Sequence, residues 1–418
     1  MNNKFLLTTA LMAGALFASA QKSRPTYAIT GDGNKDFTWM NIRQLDLSTG
    51  KVTKTIFERS KSKFVINDVD TKKSFDQTAF SDAEVFSSAK YPTNTFVAAA
   101  AYDQRSDKLF FTPMRIAELR WVNLNVKNDK PEFYTLKPEA FKVVNPSDEA
   151  TNITRMVIAA DGIGYALSND GNHFFSFTTG KKPVVTALGN IIDADANSGV
   201  SIHNKCTSWG GDMIADAYGK LYVISANHHV FVIDINTRIA SHKGQIKNLP
   251  AGYTTNAAAV NDDGEVIVGS ANQFDGFYKV NMKDLKSVKL EGSEIKYNPS
   301  DFANANLLYA KEAAAANANA VAKLPVIELN DADAKVFPNP VRTSAFNVLF
   351  ENRPEGRYTI VVSDLAGRII TSKAVNVLKG ANQIEKVNLR ANSAKGVYIV
   401  KVLDAKKSSV LNEKIVVE

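Results

Sequence analysis

The chain has 418 residues, 44% of them hydrophobic and 22% charged, which excludes wholesale disorder and leaves room for two or three domains of about 150 residues each. Its single cysteine, Cys206, excludes an intrachain disulfide framework and a cysteine zinc cluster, and is expected as a small buried hydrophobe. The net charge of +7 is local: residues 336–418 hold 13 Lys and Arg against 7 Asp and Glu, whereas residues 21–335 hold 36 of each, so no basic stripe for nucleic acid is expected.

Residues 1–20 read as an export signal. MNNK carries one positive charge, Phe5 to Ala18 form an apolar run, and Ala18-Ser19-Ala20 is a small-x-small cleavage pattern. The expected cut falls between Ala20 and Gln21, leaving a terminal glutamine that is expected to cyclise. The run is shorter than the about 20 apolar residues of a comfortable membrane span, and Gln21 stands where a lipoprotein would carry cysteine. No later stretch is apolar enough to span, so the mature chain is expected to be soluble, with no transmembrane segment.

From residue 26 to about 300 the chain is strand and turn chemistry: aromatic and β-branched runs broken by Gly, Asn and Asp. Two pieces recur. A turn followed by a strand appears as DQRSDKLFFT (103–112), ADGIGYALS (160–168), ADAYGKLYVIS (215–225) and NDDGEVIVGS (261–270). An apolar strand ending in a polar turn appears as QLDLSTGK (44–51), RWVNLNVKN (120–128), FFSFTTGK (174–181), VFVIDINTR (230–238) and FYKVNMKD (277–284). Anchored on Asp107, Gly162, Gly219 and Gly264, the first piece steps by 55, 57 and 45 residues. Units of that size with several strands each predict a β-propeller-like domain of five to seven blades over residues 21–305, with Phe110, Tyr165, Tyr222 and Phe277 packed between blades. A β-sandwich or β-helix of irregular strands is the competing architecture.

Candidate chemistry in this region is sparse. Of the histidines, His173, His203, His228, His229 and His242, the adjacent pair should point to opposite faces of a strand, and a zinc site built from His203, His228 and His242 is the one metal grouping to test. Asp193, Asp195 and Asn197 in DADANSG, and Asp32, Asn34 and Asp36 in GDGNKD, imitate calcium loops. Both lack the twelfth-position Glu, so turn chemistry is the expected role. GxSxG, HExxH and P-loop motifs are absent. No catalytic, cofactor-binding or metal-ligating residue is assigned, and no cofactor is expected. SWGGD (208–212) either lines a central funnel or makes a tight turn, and Trp39, Trp121, Trp209 and Tyr253 are either core residues or stacking platforms for sugars and peptides.

Residues 306–335 include the alanine-rich LLYAKEAAAANANAVAK, expected as a linker with at most a short helix. Beyond it VFPNPVRTSAF (336–346) brackets Asn339 with Pro338 and Pro340, a rigid entry that cannot be helix or central strand. Period-two alternation then marks strands at 346–351, 357–364, 368–377, 383–390, 396–404 and 411–418, which predicts a small Ig-like antiparallel β-sandwich over residues 336–418. The whole chain is thus expected to be all-β.

FPNPV (337–341), SDLAGR (363–368), KGVYIVKV (395–402) and the closing NEKIVVE (412–418) resemble the type A C-terminal sorting domain of the type IX, or Por-type, secretion system. The resemblance covers residues 336–418 alone. It implies passage through the periplasm, recognition of the folded tail by the outer-membrane translocon, and removal of the tail by a surface sortase with the cargo anchored on lipopolysaccharide or released. Pro338, Asn339, Pro340, Asp364, Gly367, Arg368, Gly396, Tyr398 and Lys414 would carry the targeting. For the front domain three classes of function stand: a surface or secreted module binding a glycan, peptide or protein; a propeller enzyme of lactonase or lyase type; and a structural cell-envelope protein. The first is preferred.

Overall fold

Apolar runs bounded by Gly, Asn and Asp turns become strands, and a sheet with both faces apolar must be covered on both sides. The computed structural model describes residues 24–33, 37–77, 90–125, 130–291, 297–322, 334–351, 353–365, 367–378, 382–389 and 394–418. The Ala20–Gln21 junction, Asn34, Asp36 and residues 323–333 lie outside that set. The chain divides into two units, Met1–Ala310 and Lys311–Glu418.

Among its described residues the first unit holds five sheets, here numbered I to V. Each begins with an inner strand and meanders outward through antiparallel pairs. The inner strands of sheets II to V are Val97–Asp103, Ile153–Ile158, Asp212–Ala215 and Ala257–Val260. Sheet I is composite: its inner strand, Pro299–Ala303, comes from the end of the unit and pairs antiparallel with the first strand, Thr26–Thr30. Each inner strand lies beside the inner strands of the sheets before and after it, and the strand of sheet V lies beside that of sheet I. The five sheets therefore close into a propeller-like ring, fastened by hydrogen bonds between the two ends of the domain.

Five apolar clusters fill the five gaps. Adjacent residues supply opposite gaps, as the pleat requires: Phe110 packs between sheets II and III, Phe111 between I and II. Tyr165, Tyr222 and Ile267 repeat the place of Phe110 in the next three gaps. Thr112, Ser168, Ser225 and Ser270, which close the four copies of the first recurring piece, are all buried, as is Thr30 in sheet I. Several of them stitch neighbouring segments: Thr112 Oγ1 donates to the Ile153 carbonyl at 3.3 Å and Ser225 Oγ to the Thr207 carbonyl at 2.7 Å. The outer strands Phe64–Asp68 and Ser74–Gln77 extend sheet II beyond the repeat, the former pairing in parallel with Glu132–Leu136.

In the second unit, the alanine-rich run forms a helix over Ala310–Ala322, where the sequence favoured a linker. A three-stranded and a four-stranded antiparallel sheet follow, ordered Ala334–Phe337, Ala345–Phe350, Gln383–Asn388 and Ile369–Val377, Gly356–Asp364, Gly396–Leu403, Ser409–Val417. Their inward faces share one core built from Phe346, Val348, Tyr358, Ile360, Val362, Tyr398, Val400 and Ile415 among others. The alternation read from the sequence is the alternation of burial.

Candidate functional site

Inner strands crowd at a ring's axis, and small side chains let them approach. Ala100, Ala101, Ala215, Ala258 and Ala259 supply these, with Met156, Met213 and Phe302 filling what remains, so the axial void is only about 10 Å³. That is about the space of a single water. At the end where the inner strands finish, residues 304–309 run on from sheet I past the ends of sheets V and IV. Asn304 Nδ2 donates to the Val260 carbonyl at 2.8 Å, Asn306 Nδ2 to the same carbonyl at 2.9 Å, and the Leu308 backbone pairs with Ala215 and Ala217. The chain thereby ties the ends of sheets V and IV together at this mouth.

At the opposite mouth, where inner strands begin, SWGGD makes a tight turn. Gly210 and Gly211 have φ of +67° and +90°, and a Cβ on Gly211 would stand 2.0 Å from the Ile224 carbonyl oxygen. Gly211→Ala is therefore expected to cost at least about 2 kcal/mol, combining left-handed strain with a backbone clash. Gly219→Ala, also at positive φ but with open space, should cost about 1 kcal/mol. Thermal unfolding of the two variants checks the difference.

The turn delivers Asp212 to the axis. Its Oδ2 accepts from the Ala258 N–H at 2.7 Å and the Phe302 N–H at 3.1 Å, and its Oδ1 from its neighbour Met213 at 2.6 Å. One carboxyl thereby ties the inner strands of sheets IV, V and I. Asp301 lies against it, fully buried, with the Ala100 N–H nearby but neither oxygen in a well-formed hydrogen bond. Burial pushes Asp212 up to about 7 against the pull of its N–H donors, and burial together with the neighbouring Asp212 holds Asp301 well above the usual carboxylate range. Burial and the adjacent carboxyl thus favour the protonated form at this pair. Arg155 is buried in the next inner strand but one from Asp301, and its guanidinium is satisfied by the carbonyls of Ser168, Asn169, Ser208 and Gly210. It fastens sheet III to the SWGGD turn.

The surface of this mouth carries Trp209, half-buried, with the Lys205 ammonium 4.6 Å from its ring centroid. His203 beside it bonds through Nδ1 to the Asp170 carbonyl at 2.8 Å. Trp121 and Tyr253 belong to the core, and Trp39 packs partly buried against the cluster between sheets I and II. Cys206, expected inside, is exposed. It sits in a one-turn helix, Lys205–Ser208, capped by Asn204, whose side chain takes the Cys206 N–H at 2.8 Å. The capping geometry turns that face to solvent.

The histidines combine differently from the grouping read in the sequence. His203, His228 and His242 do not converge; His228 sits at φ +71° with its ring bonded to the Tyr253 carbonyl. His229 and His242 do meet, Nδ1 to Nε2 at 3.0 Å. In DADANSG, Asp193 Oδ1 accepts from the Ile202 N–H at 2.9 Å and the Asn197 amide at 3.3 Å, so those groups build a turn. Asp32 is committed to Arg59 and Asn41. The turn aspartates of the first repeat brace tyrosines: Tyr102 on Asp107, Tyr165 on Asp161 and Tyr222 on Asp216.

In the second unit Asn339 acts as a short piece of strand. Its Nδ2 donates to the Lys414 carbonyl at 2.8 Å and its Oδ1 accepts from the Val416 N–H at 3.0 Å. Val341 continues the pairing, its N–H donating to Val416 and its carbonyl accepting from Glu418. The flanking Pro338 and Pro340 carry no N–H to compete with the Asn339 side chain for these partners. Asp364 closes the next hairpin: its Oδ1 takes the Arg368 N–H at 2.9 Å and its Oδ2 the Arg368 Nε at 3.0 Å, with Gly367 at φ +80°. Gly396, at φ +151°, opens the strand in which Tyr398 is buried, its hydroxyl reaching the Ala394 carbonyl at 2.5 Å. The Lys414 side chain is exposed.

Residues 335–418 match the secretion system C-terminal sorting domain. The tail is a sorting domain of the type IX secretion system. It directs the protein to the cell surface or the medium, and it implies interaction with the type IX machinery. Among the described residues no helix is long and apolar enough to cross a membrane. No curated protein matches the chain. Solved structures similar to it include PorZ, a surface component of the type IX secretion system of Porphyromonas gingivalis, at 13% identity over 94% of this chain and 51% of that one, with a TM-score of 0.33. A putative 6-phosphogluconolactonase from Bacteroides uniformis is similar at 9% identity over 88% of this chain and 100% of that one, with a TM-score of 0.33. The chain spans about half the length of PorZ.

Proposed function

We propose that this exported protein is a binding module, whose ring of sheets holds a glycan, peptide or protein ligand on the loops of the mouth that carries SWGGD. The sorting domain at residues 335–418 carries the exported half of that reading. The filled axis supports the other half. With about 10 Å³ of void at the centre, the ligand surface is the rim and not a central funnel. Trp209 beneath Lys205 offers a stacking face with a cation above it. The test is an array of glycans and peptides probed with the mature chain. Binding abolished by Trp209→Ala with an unchanged melting temperature is the expected result; turnover of an ester, lactone or glycoside would replace this reading with the enzyme one.

We further propose that the signal is cut between Ala20 and Gln21, that residues 21–305 and 336–418 act as the cargo and targeting domains, and that a surface sortase removes the tail. Within the tail, Asn339 and Asp364 serve by holding strands and turns, Pro338, Pro340, Gly367 and Gly396 by backbone shape, Tyr398 by packing, and the exposed Lys414 and Arg368 by contact. Asn339→Ala should cost about 1–3 kcal/mol by orphaning the Lys414 carbonyl and Val416 N–H, and should lower export through lost folding. Lys414→Ala should keep stability within about 0.5 kcal/mol yet still lower export. Melting curves beside fractionation separate the two roles, and equal export of the Lys414 variant would remove that residue from the contact set.

A further inference from the structure

We propose that His229 and His242 form a two-imidazole clip for a divalent transition-metal ion, copper(II) ahead of zinc, on the outer strands of sheet IV. His229 opens the strand His229–Asp234, and His242 lies on the neighbouring strand Ile239–Gln245. A register shift in this pair, between Val230 and Phe231, sets Phe231 opposite His242 and His229 opposite Gln245. Phe231 packs under both rings, with centroids 6.4 Å from His229 and 5.2 Å from His242, which restricts their tilt. The facing nitrogens are 3.0 Å apart. Two imidazole nitrogens each about 2.0–2.1 Å from one metal at a bite angle near 95° are separated by about 3 Å, so swinging the lone pairs onto a common ion needs no strand movement.

The protonation state suits the ion. One ring N–H now lies between the two nitrogens; on metal binding that proton leaves the shared line for another ring nitrogen or for solvent, and both rings bind as neutral imidazoles. His228 is engaged at the Tyr253 carbonyl, and Asn197 Oδ1 takes the His242 backbone N–H at 2.8 Å, so neither competes for the facing nitrogens. Among the described residues no three His, Cys, Asp or Glu side chains gather as a metal group. Waters therefore complete the coordination, and the ion is exchangeable. Imidazole donors and the Irving–Williams order favour copper(II) over zinc. This inference is independent of the rim-binding reading.

The experiment titrates the untagged mature chain with copper(II), read by electron paramagnetic resonance and calorimetry, and with zinc, read by the histidine ring signals in NMR. Superhyperfine splitting from two nitrogens is expected, with His229→Gln and His242→Gln each weakening binding by at least about tenfold and His203→Gln leaving it unchanged. Zinc should shift two of the five ring signals in the unaltered protein, a measurement that does not depend on the variants folding. One-nitrogen spectra, affinities unmoved in both variants, or zinc shifts on other rings would overturn the proposal.

Discussion

Ending the chain after Ala322 is expected to leave the ring of sheets folded and stranded in the periplasm, absent from the cell surface and the medium. Folding should survive because the ring's bonds are its own. Sheet I is closed by Pro299–Ala303 on Thr26–Thr30, and the clusters between sheets use residues up to Leu308. The tail likewise has a separate core. Units with independent cores tolerate separation. A truncated chain that melts like the full one but stays with periplasmic markers is the predicted outcome. A truncated chain found at the surface would remove targeting from the tail.

A second large effect is expected at the axial acids. Asp212 is raised from 3.8 to about 7 and Asp301 is raised well above 3.8, so the folded ring holds more protons than the unfolded chain between those values. Stability from this pair is fullest below about pH 4 and falls as pH rises through about 7, with a slope of about 1.4 kcal/mol per pH unit for each proton involved. Asp301→Asn removes one of the two raised acids and should raise stability at pH 8 by on the order of 2 kcal/mol while removing Asp301's share of the slope and leaving that of Asp212. Asp212→Ala should instead cost about 3–5 kcal/mol, since it strands the N–H groups of Ala258 and Phe302 and leaves Asp301 alone. Urea unfolding across pH 4 to 9 reads both. A flat profile in the unaltered protein would contradict the raised acids.

Local periodicity made much of this fold legible. Tyr358, Ile360 and Val362 alternate inward, as do Tyr398, Val400 and Val402, because a two-residue pleat needs no distant information. The recurring turn-and-strand piece was equally plain, and its copies end at the buried hydroxyls Thr112, Ser168, Ser225 and Ser270. What escaped depends on separation along the chain. Asp301 reads as one polar residue in a strand until the ring closes and sets it against Asp212. His229 and His242 meet only because the register shifts between their strands. Cys206 is exposed in its one-turn helix although its residue type favours burial. The outer strands of sheet II pair partly in parallel, outside the repeat that revealed the others.

The central claim is that residues 311–418, which include the sorting domain at 335–418, route a folded cargo through the type IX system. It is tested most directly by fusing a periplasmic reporter, behind this chain's own signal, to residues 311–418 in a host with and without an active type IX translocon. The account predicts reporter on the surface or in the medium of the active host and reporter confined to the periplasm of the inactive one. Reporter held in the periplasm of both hosts, with the fused tail folded and intact, would contradict it.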